Sequence, residues 1–264
     1  MEWNVLELSI IVPCYDEEEN IPPLLERIEA ALADFEGEGH AYEIILVDDG
    51  STDRTGERIE AAARVDPHVV ACRHERNRGI VAGWRTGLAA ARGRFVLTTD
   101  ADLQYRPEDI PTLYRTAIET GADLVQGWRR EHREGNRLRI VLSVGLSHLL
   151  NLLFGMKLKD IKSGFILYRR PCFETILAYR GNYRHFQHFI TIAAHAHGFS
   201  IRQVPIVFEK RHAGASFIQA PLRFSLEALH DIPIALWEYR FQRRRLEAVR
   251  GGEEAEEAHA GGER

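Results

Sequence analysis

The chain has 264 residues, of which 45% are hydrophobic and 28% are charged. This balance excludes a disordered or fibrous protein and allows one large globular domain. The formal net charge is −5, but residues 251–264 alone carry five Glu and one Arg, so the rest of the chain is close to neutral and no nucleic-acid partner is expected. The scattered Cys14, Cys72 and Cys172 indicate reduced thiols. An N-terminus unlike a secretion signal, with no run of about 18 apolar residues, predicts a cytoplasmic protein without a membrane span.

Buried strands alternate with amphipathic helices through the first half of the chain. In residues 21–35, apolar side chains recur at helical spacing and predict a helix with one buried stripe. Further helices are predicted after residue 53, at 79–91 and from Pro107. The predicted strands cover 7–13, which Pro13 is expected to end, and then 42–47, 69–72, 95–97 and 123–126. This rhythm predicts an α/β fold with a mostly parallel sheet flanked by helices, in which ligands bind beyond the carboxyl ends of the strands.

The second half of the chain is less regular. The apolar stretch 138–153 predicts a helix that is either core or lipid-facing, and residues 183–197 predict a histidine-rich helix. Other expected elements are a turn at 160–165, short strands at 166–168 and 201–208, and two helical pieces within 217–245, which contains Pro221 and Pro233. The predicted organisation is a main domain (1–216), an amphipathic helical segment (217–246) and a disordered acidic tail (247–264).

Carboxylates follow the fourth predicted strand at the point where it ends. Asp100 and Asp102 come directly after the apolar run 95–97, and Gln104 follows them. Oxygen ligands two residues apart in one turn suit a divalent cation that carries phosphates. Taken alone, the same pair is also compatible with a solvated turn.

A second acidic loop follows the second predicted strand. Asp48 and Asp49 end that strand, and Ser51, Thr52 and Asp53 come next. Helix capping alone would explain the last three residues. It does not explain two consecutive acids, whereas a carboxylate that accepts the N–H groups of a nucleobase does. The two loops together favour metal-assisted nucleotide chemistry.

Several short motifs occur in order between residues 7 and 216. They are Ser9-Ile-Ile-Val-Pro13 with Tyr15 and Glu17, Asp48-Asp49-Gly50-Ser51 with Asp53, Asn77-Arg78-Gly79, Asp100-Ala-Asp102-Leu-Gln104 and Ser163-Gly164-Phe165. In this arrangement the chain resembles the inverting family 2 glycosyltransferases, and among them the polyprenyl-phosphate sugar transferases of the dolichyl-phosphate mannose synthase type. The resemblance implies that residues 1–216 form a GT-A fold, the fold of nucleotide-diphospho-sugar transferases, as a catalytic domain without transmembrane helices.

The resemblance also implies a site for the donor nucleotide and a metal ion. The implied donor contacts are Pro13, Tyr15 and Glu17 along the nucleotide, Asp48 or Asp49 on the base, and Asp100 and Arg211 at the diphosphate. Asp100, Asp102 and Gln104 would surround Mg²⁺ or Mn²⁺, which bridges the diphosphate. Such an ion neutralises the charge of the leaving group.

On the acceptor side, the resemblance implies basic residues that contact a phosphate. Arg129 would face the acceptor phosphate and, with Asp102, form the catalytic pair; Arg137 or Arg139 and Ser143 would make further contacts. The sequence agrees with a phosphate acceptor, because no Asp or Glu occurs between Glu174 and Glu209 and a phosphate, already ionised, needs no carboxylate base. An open alternative is a hydroxyl acceptor with His185 or His188 as the base.

The expected function is therefore metal-dependent, inverting transfer of mannose or glucose from GDP-mannose or UDP-glucose to a polyprenyl phosphate, either dolichyl or undecaprenyl. A catalytically silent nucleotide-sugar-binding subunit of a membrane complex remains an alternative from another class. Trp237, Tyr239 and Phe241 lie beside a basic cluster of Arg240, Arg243, Arg244, Arg245 and Arg250. This composition is typical of a helix on the cytoplasmic membrane surface. Burial in a homodimer interface, or against a membrane-protein partner, fits it equally well.

Overall fold

The computed structural model describes residues 6–130, 137–214 and 230–241, with backbone only for 137–143. The strands are β1 (Leu6–Cys14), β2 (Ala41–Asp48), β3 (Val69–Arg73), β4 (Phe95–Thr98), β5 (Leu124–Arg129), β6 (Ile166–Arg169) and β7 (Ile201–Ile206). The α-helices are α1 (Ile21–Gly37), α2 (Thr55–Val65), α3 (Ile80–Ala90), α4 (Ile110–Thr120), α5 (Arg137–Phe154), α6 (Arg170–Leu177) and α7 (Ile190–Ala196). Short 3₁₀ turns cover Pro107–Asp109 and Phe186–His188.

The strands form one seven-stranded sheet in the order β3-β2-β1-β4-β6-β5-β7. All neighbouring pairs are parallel except those of β6, which runs antiparallel to both β4 and β5. The prediction of a mostly parallel sheet flanked by helices is therefore confirmed. Because β1, β2 and β4 run in the same direction, the loops that follow them meet at one edge of the sheet.

Two hydrophobic layers pack against the two faces of this sheet. Along β1, Leu8, Ile10 and Val12 belong to one layer and Ile11 to the other, as the alternation of side chains in a strand requires. The first layer includes α1, whose buried residues are the predicted stripe of Ile21, Leu24, Leu25, Ile28, Leu32 and Phe35. The sheet is thus covered on both faces, which leaves its edges and loops to hold ligands.

Pro13 does not end the first strand, contrary to the prediction. It lies within β1 and pairs with Val47 of β2. The pairing of β1 with β4 ends two residues earlier, where Ile11 faces Thr98. A proline is tolerated here because β1 has already passed the end of one of its neighbours.

The predicted helix over residues 183–197 is wrong in its first half, which is a loop and a 3₁₀ turn before α7. The cause is a distant carboxylate. The buried Asp231 accepts hydrogen bonds from the backbone N–H of Arg184, at 3.0 Å, and of His185, at 2.7 Å. Helix α6 was not predicted. It has Pro171 in its first turn, and its buried residues are Cys172, Phe173, Ile176 and Leu177.

Residues 230–241 are helical, and Leu236–Phe241 forms a π-helix. Pro233 lies inside this helix. Pro221 and most of the range 217–245, in which two helical pieces were predicted, are outside the described residues, so that prediction stays untested. Ile232, Ala235 and Tyr239 pack into the second hydrophobic layer. In the described parts of the chain, no helix has the length and apolar character needed to cross a bilayer. The predicted acidic tail (247–264) is outside the described residues.

Candidate active site

The loops after β1 and β2 are bonded to each other side by side. The backbone N–H of Asp16 donates to Ser51 Oγ at 3.0 Å, that of Glu17 donates to Thr55 Oγ1 at 2.7 Å, and that of Thr52 donates to Asp16 Oδ1 at 2.7 Å. Asp16 adopts a left-handed φ of 54° within this network. Since strain of this kind persists only where the surroundings impose it, the two loops form one preorganised wall.

An acidic cavity of about 120 Å³ lies at this wall. Its lining residues are Asp16, Glu17, Glu18, Glu19, Asn20, Asp53 and Gly214. Pro13 and Tyr15, the other predicted nucleotide contacts, lie at the end of β1 and directly after it. A cavity lined by carboxylates favours ligand groups that carry N–H donors or a bound cation, and it disfavours a bare phosphate.

Asp49 binds a neighbouring loop. Its buried carboxylate lies 2.7 Å from His74 Nδ1 and accepts the backbone N–H of Arg78 and of Gly79, each at 2.8 Å. Carboxylates held by several N–H donors are firmly positioned. These contacts explain the Asn77-Arg78-Gly79 motif as a loop fixed by Asp49.

Asp48 has a more accessible partner. One oxygen accepts the backbone N–H of Ser51 at 2.9 Å, and the other lies 3.2 Å from Nε of Arg73, whose side chain is 58% exposed. The Asp48 side chain is only 1% exposed, but Arg73 reaches it from the solvent side and can be displaced by a ligand. Of the two acids that the sequence left open as base contacts, the geometry favours Asp48.

Asp100 and Asp102 lie together in the turn after β4. Burial, and then the charge of Asp102, raises the pKa of Asp100 to about 7, while the positive charges of Arg129 and Arg211 oppose the rise. Burial also raises the pKa of Asp102, against the hydrogen bond that Asp102 accepts from the backbone N–H of Gln104 at 3.0 Å. A bound cation stabilises the charged form of two adjacent carboxylates whose pKa values are raised in this way.

The acid pair fits a divalent cation that receives its other ligands from a substrate. Within the described ranges, no group of three or more His, Cys, Asp or Glu side chains has the arrangement of a metal site. Mg²⁺ is commonly held by one or two carboxylates together with phosphate oxygens and water, so two acids suffice. Gln104 Nε2 donates to the backbone oxygen of Glu209 at 3.4 Å, and its role as a third ligand stays a prediction.

Arg211 connects the loop after β1 with the acidic turn after β4. Its Nη1 lies 3.0 Å from Glu17 Oε1 and its Nη2 lies 3.0 Å from Asp102 Oδ2. The loop that carries it is bonded to the acidic turn, since Glu209 N–H donates to the Gln104 oxygen at 2.8 Å and His212 N–H donates to the Asp102 oxygen at 3.1 Å. The structure therefore brings together residues that are more than 100 positions apart in the chain.

Arg129 has a partner that the sequence analysis missed. Its Nε and Nη2 donate to the two oxygens of Asp160 at 2.7 and 3.1 Å, and its guanidinium lies 5.2 Å from the ring centre of Phe208. The side chains are 18% and 4% exposed. Asp160 begins the predicted turn at 160–165, but its carboxylate had no assigned role. The bidentate bond fixes the guanidinium. Its charge, like that of Arg211, lowers the pKa of Asp100 in the acidic turn.

The other predicted acceptor contacts lie on α5. Arg137, Arg139 and Ser143 belong to its first turns, and their side chains are outside the described residues. Their assignment remains a prediction.

His188 is poorly suited to act as a base. It is 9% exposed, and burial together with the charge of Lys162 lowers its pKa to about 3. An imidazole with this pKa is neutral at pH 7 and takes up a proton only weakly. The geometry therefore disfavours the hydroxyl-acceptor alternative as far as it depends on His188.

The pKa of His188 predicts an acid-dependent loss of stability. In the unfolded chain, His188 has its ordinary pKa of 6.5 and becomes protonated below that pH. In the folded protein, His188 stays neutral until the pH approaches 3. The free energy of unfolding should thus fall by about 2 kcal/mol between pH 7 and pH 5 from this group alone. Urea unfolding of the wild type and of His188→Gln at both pH values measures the effect. Equal pH slopes in the two proteins would contradict the assignment.

The aromatic residues near the end of the described chain do not share one face. Trp237 and Phe241 are 66% and 73% exposed, but Tyr239 is 2% exposed and packs in the core. The prediction that all three form an interfacial face is wrong for Tyr239. The basic residues after Phe241 are outside the described residues, so the choice between membrane, homodimer and partner stays open.

The seven-stranded sheet, with acidic loops at its carboxyl edge, has the GT-A fold. Residues 9–177 match the family profile described as "Glycosyl transferase family 2", and the chain belongs to that family. This confirms the resemblance and the GT-A fold expected from it.

Curated relatives include transferases that act on polyprenyl phosphates. Dodecaprenyl-phosphate galacturonate synthase of Rhizobium johnstonii is 38% identical over 174 residues, which cover 65% of this chain and 50% of the relative. Undecaprenyl-phosphate 4-deoxy-4-formamido-L-arabinose transferase of Erwinia tasmaniensis is 33% identical over 216 residues, covering 81% and 64%. The chain therefore spans one half to about two thirds of the length of these relatives.

Solved structures agree on the fold. Glucosyl-3-phosphoglycerate synthase from Mycobacterium tuberculosis, in complex with Mn²⁺, UDP and glucosyl-3-phosphoglycerate, superposes with a TM-score of 0.66 at 20% identity, covering 89% of this chain and 80% of the other. The same enzyme with Mg²⁺ and UDP gives a TM-score of 0.66. At this identity the similarity concerns the fold alone.

Proposed function

We propose that this chain transfers a sugar from a nucleoside diphosphate sugar to a polyprenyl phosphate, with inversion and with a divalent cation. The observation that carries the proposal is the placement of the acid pair Asp100 and Asp102 near two arginines, both of which lower the pKa of Asp100. Arg211 comes from the loop that is hydrogen-bonded to the acidic turn, and Arg129 comes from the end of β5. This arrangement suits a reaction in which one phosphate leaves as another attacks.

On the donor side, the acidic cavity receives the nucleoside. Asp48 accepts N–H groups of the base, while Pro13 and Tyr15 line the nucleotide. Asp100 and Asp102 would hold Mg²⁺ or Mn²⁺, whose charge would neutralise the diphosphate. Arg211, which contacts Asp102 at 3.0 Å, would then be available to contact the diphosphate.

On the acceptor side, a phosphate oxygen attacks the anomeric carbon directly. The acceptor carries its negative charge at neutral pH, so no side chain has to remove a proton. Arg129, fixed by Asp160, provides positive charge next to the reacting groups. The names of the curated relatives, which specify dodecaprenyl and undecaprenyl phosphates, support this acceptor class.

The sugar is left to experiment. Mannose and glucose follow from the initial resemblance, whereas the relatives are named for galacturonate and a formamido-arabinose. Since the acceptor is a lipid, we further propose peripheral binding to the cytoplasmic face of a membrane. The exposed Trp237 and Phe241 support such a contact.

A donor-by-acceptor panel with radiolabelled sugars tests this function. Donors include GDP-mannose, UDP-glucose and the UDP-linked uronic acid and amino-arabinose derivatives, each with undecaprenyl or dolichyl phosphate. We expect a lipid-linked product that forms only with Mg²⁺ or Mn²⁺. Product formed solely on sugar or protein hydroxyls would overturn the acceptor, and no turnover with any pair would favour a silent binding subunit.

A further inference from the structure

A second cavity, of about 400 Å³, lies at the carboxyl end of β5. It is bounded by β5, by the middle of α5 and by the turn before Asp160. Its lining residues are Trp128, Arg129, Arg130, Val144, Ser147, His148, Asn151, Leu158, Lys159 and Asp160. The shared residues Arg129 and Asp160 place it directly beside the acidic turn of the active site.

The charge of this cavity is opposite to that of the donor cavity. Three of its side chains are cationic and one is anionic. The anion, Asp160, is neutralised by Arg129 through the bidentate bond. Within the described ranges, the side chains of Arg130, His148 and Lys159 have no carboxylate partner, and Lys159 Nζ lies 4.5 Å from the ring centre of Trp128. Positive charge is therefore available for an anionic ligand.

The turn that carries Lys159 is firmly held. The backbone N–H of Lys159 donates to Gln203 Oε1 at 2.7 Å. Leu158, which precedes Lys159, makes two hydrogen bonds with Asn151 of α5. Asn151 Nδ2 donates to the Leu158 oxygen at 2.8 Å, and the Leu158 N–H donates to Asn151 Oδ1 at 3.0 Å. The ammonium group is thus presented from a rigid base, which lowers the entropic cost of binding.

The cavity also has apolar lining, beside the polar Ser147 and Asn151, and α5 carries further exposed apolar side chains. Trp128, Val144 and Leu158 contribute apolar area within the cavity. On α5, Val144, Leu149 and Leu152 are 43%, 40% and 79% exposed. Cationic groups next to an apolar surface match a phosphate monoester that carries a hydrocarbon chain.

We propose that this cavity binds the phosphate of the lipid acceptor, with Lys159, Arg130 and His148 as its contacts and Trp128, Val144 and Leu158 against the first isoprene units. The proposal rests on the proposed function and names residues beyond those that the resemblance implied. In the transfer, an acceptor phosphate oxygen forms the new bond to the anomeric carbon. The bond from that carbon to the nucleoside diphosphate breaks, and its electron pair leaves with the diphosphate, so no proton moves.

Farnesyl phosphate is the probe, and the intrinsic tryptophan fluorescence of the full chain reports its binding through Trp128. Lys159→Gln should weaken binding about tenfold, the effect of removing one charge-assisted contact. Lys159→Arg should restore most of the affinity, and His148→Gln provides a second test. Lys157→Gln is the matched control, because Lys157 is exposed and lies outside the cavity two residues away. Thermal unfolding confirms that each variant is folded.

Inorganic phosphate distinguishes a lipid site from a general phosphate site. We expect it to compete with farnesyl phosphate only at far higher concentration, because it lacks the apolar chain. In turnover assays, Lys159→Gln should raise the KM for polyprenyl phosphate and leave the donor KM unchanged. The proposal is overturned if Lys159→Gln and His148→Gln both bind farnesyl phosphate as tightly as the wild type does. It is also overturned if the wild type binds inorganic phosphate and farnesyl phosphate equally well. Absence of turnover in the wild type overturns the proposed function instead, since the binding result is independent of it.

Discussion

Asp102→Asn is expected to lower kcat by about 100- to 1000-fold, the range seen when one group that stabilises transition-state charge is removed. Asparagine keeps the shape of the side chain and can still accept the N–H of Gln104, which lies 3.0 Å from the carboxylate. What it loses is the charge that holds the cation and pairs with Arg211. The loss should therefore appear in metal-dependent turnover and in Mn²⁺ affinity together.

The same substitution should leave the protein without ligand as stable as the wild type or more stable. Asp102 is 5% exposed, and its charge raises the pKa of Asp100. Removing one of two adjacent acidic charges relieves this repulsion. A variant that is inactive yet not destabilised would distinguish a functional acid from a structural one.

Glu108→Gln is the control for this experiment. Glu108 lies in the same segment and is acidic, but its side chain is 40% exposed and pairs with Arg27 on the surface. We expect activity and Mn²⁺ affinity to remain unchanged. Metal-dependent turnover that persists in Asp102→Asn would remove the acid pair from the proposed metal site.

Asp160→Asn should destabilise the protein by about 3 kcal/mol and reduce transfer strongly. The side chains of Arg129 and Asp160 are 18% and 4% exposed, so the substitution leaves a largely buried guanidinium without its counter-charge. Asparagine can still accept the backbone N–H of Lys162, which lies 3.1 Å from Asp160 Oδ1, but its amide nitrogen cannot accept the second N–H of Arg129, so the bidentate bond is lost. Urea unfolding measures the stability, and initial rates measure the transfer.

The double variant Arg129→Gln with Asp160→Asn separates the two effects. It contains no unpaired buried charge, so stability should recover substantially, whereas activity should stay low because the positive charge beside the acidic turn is gone. Glu57→Gln, which breaks an exposed pair with Arg54, should cause no measurable change in either quantity. Full activity in the double variant would show that the pair is structural only.

Local patterns in the sequence predicted the elements that depend on neighbouring residues. The buried stripe of α1 and the strands on either side of it follow from periodicity, which is set by side chains a few positions apart. The acidic turns could also be found, because each directly follows a buried strand. The burial of Tyr239 could not, since it depends on packing against residues such as Tyr183, far away in the chain.

The sequence by itself determined the α/β class, the family and the acids at Asp48 and at Asp100 with Asp102. These depend on short motifs whose order is visible along the chain. Only the tertiary structure decided which groups are partners: Asp49 with the loop at Gly79, Arg211 with Asp102, and Arg129 with Asp160. The physical reason is that burial and charge pairing arise between residues distant in sequence. No local pattern records which of two acids is held by the fold and which remains available to a ligand.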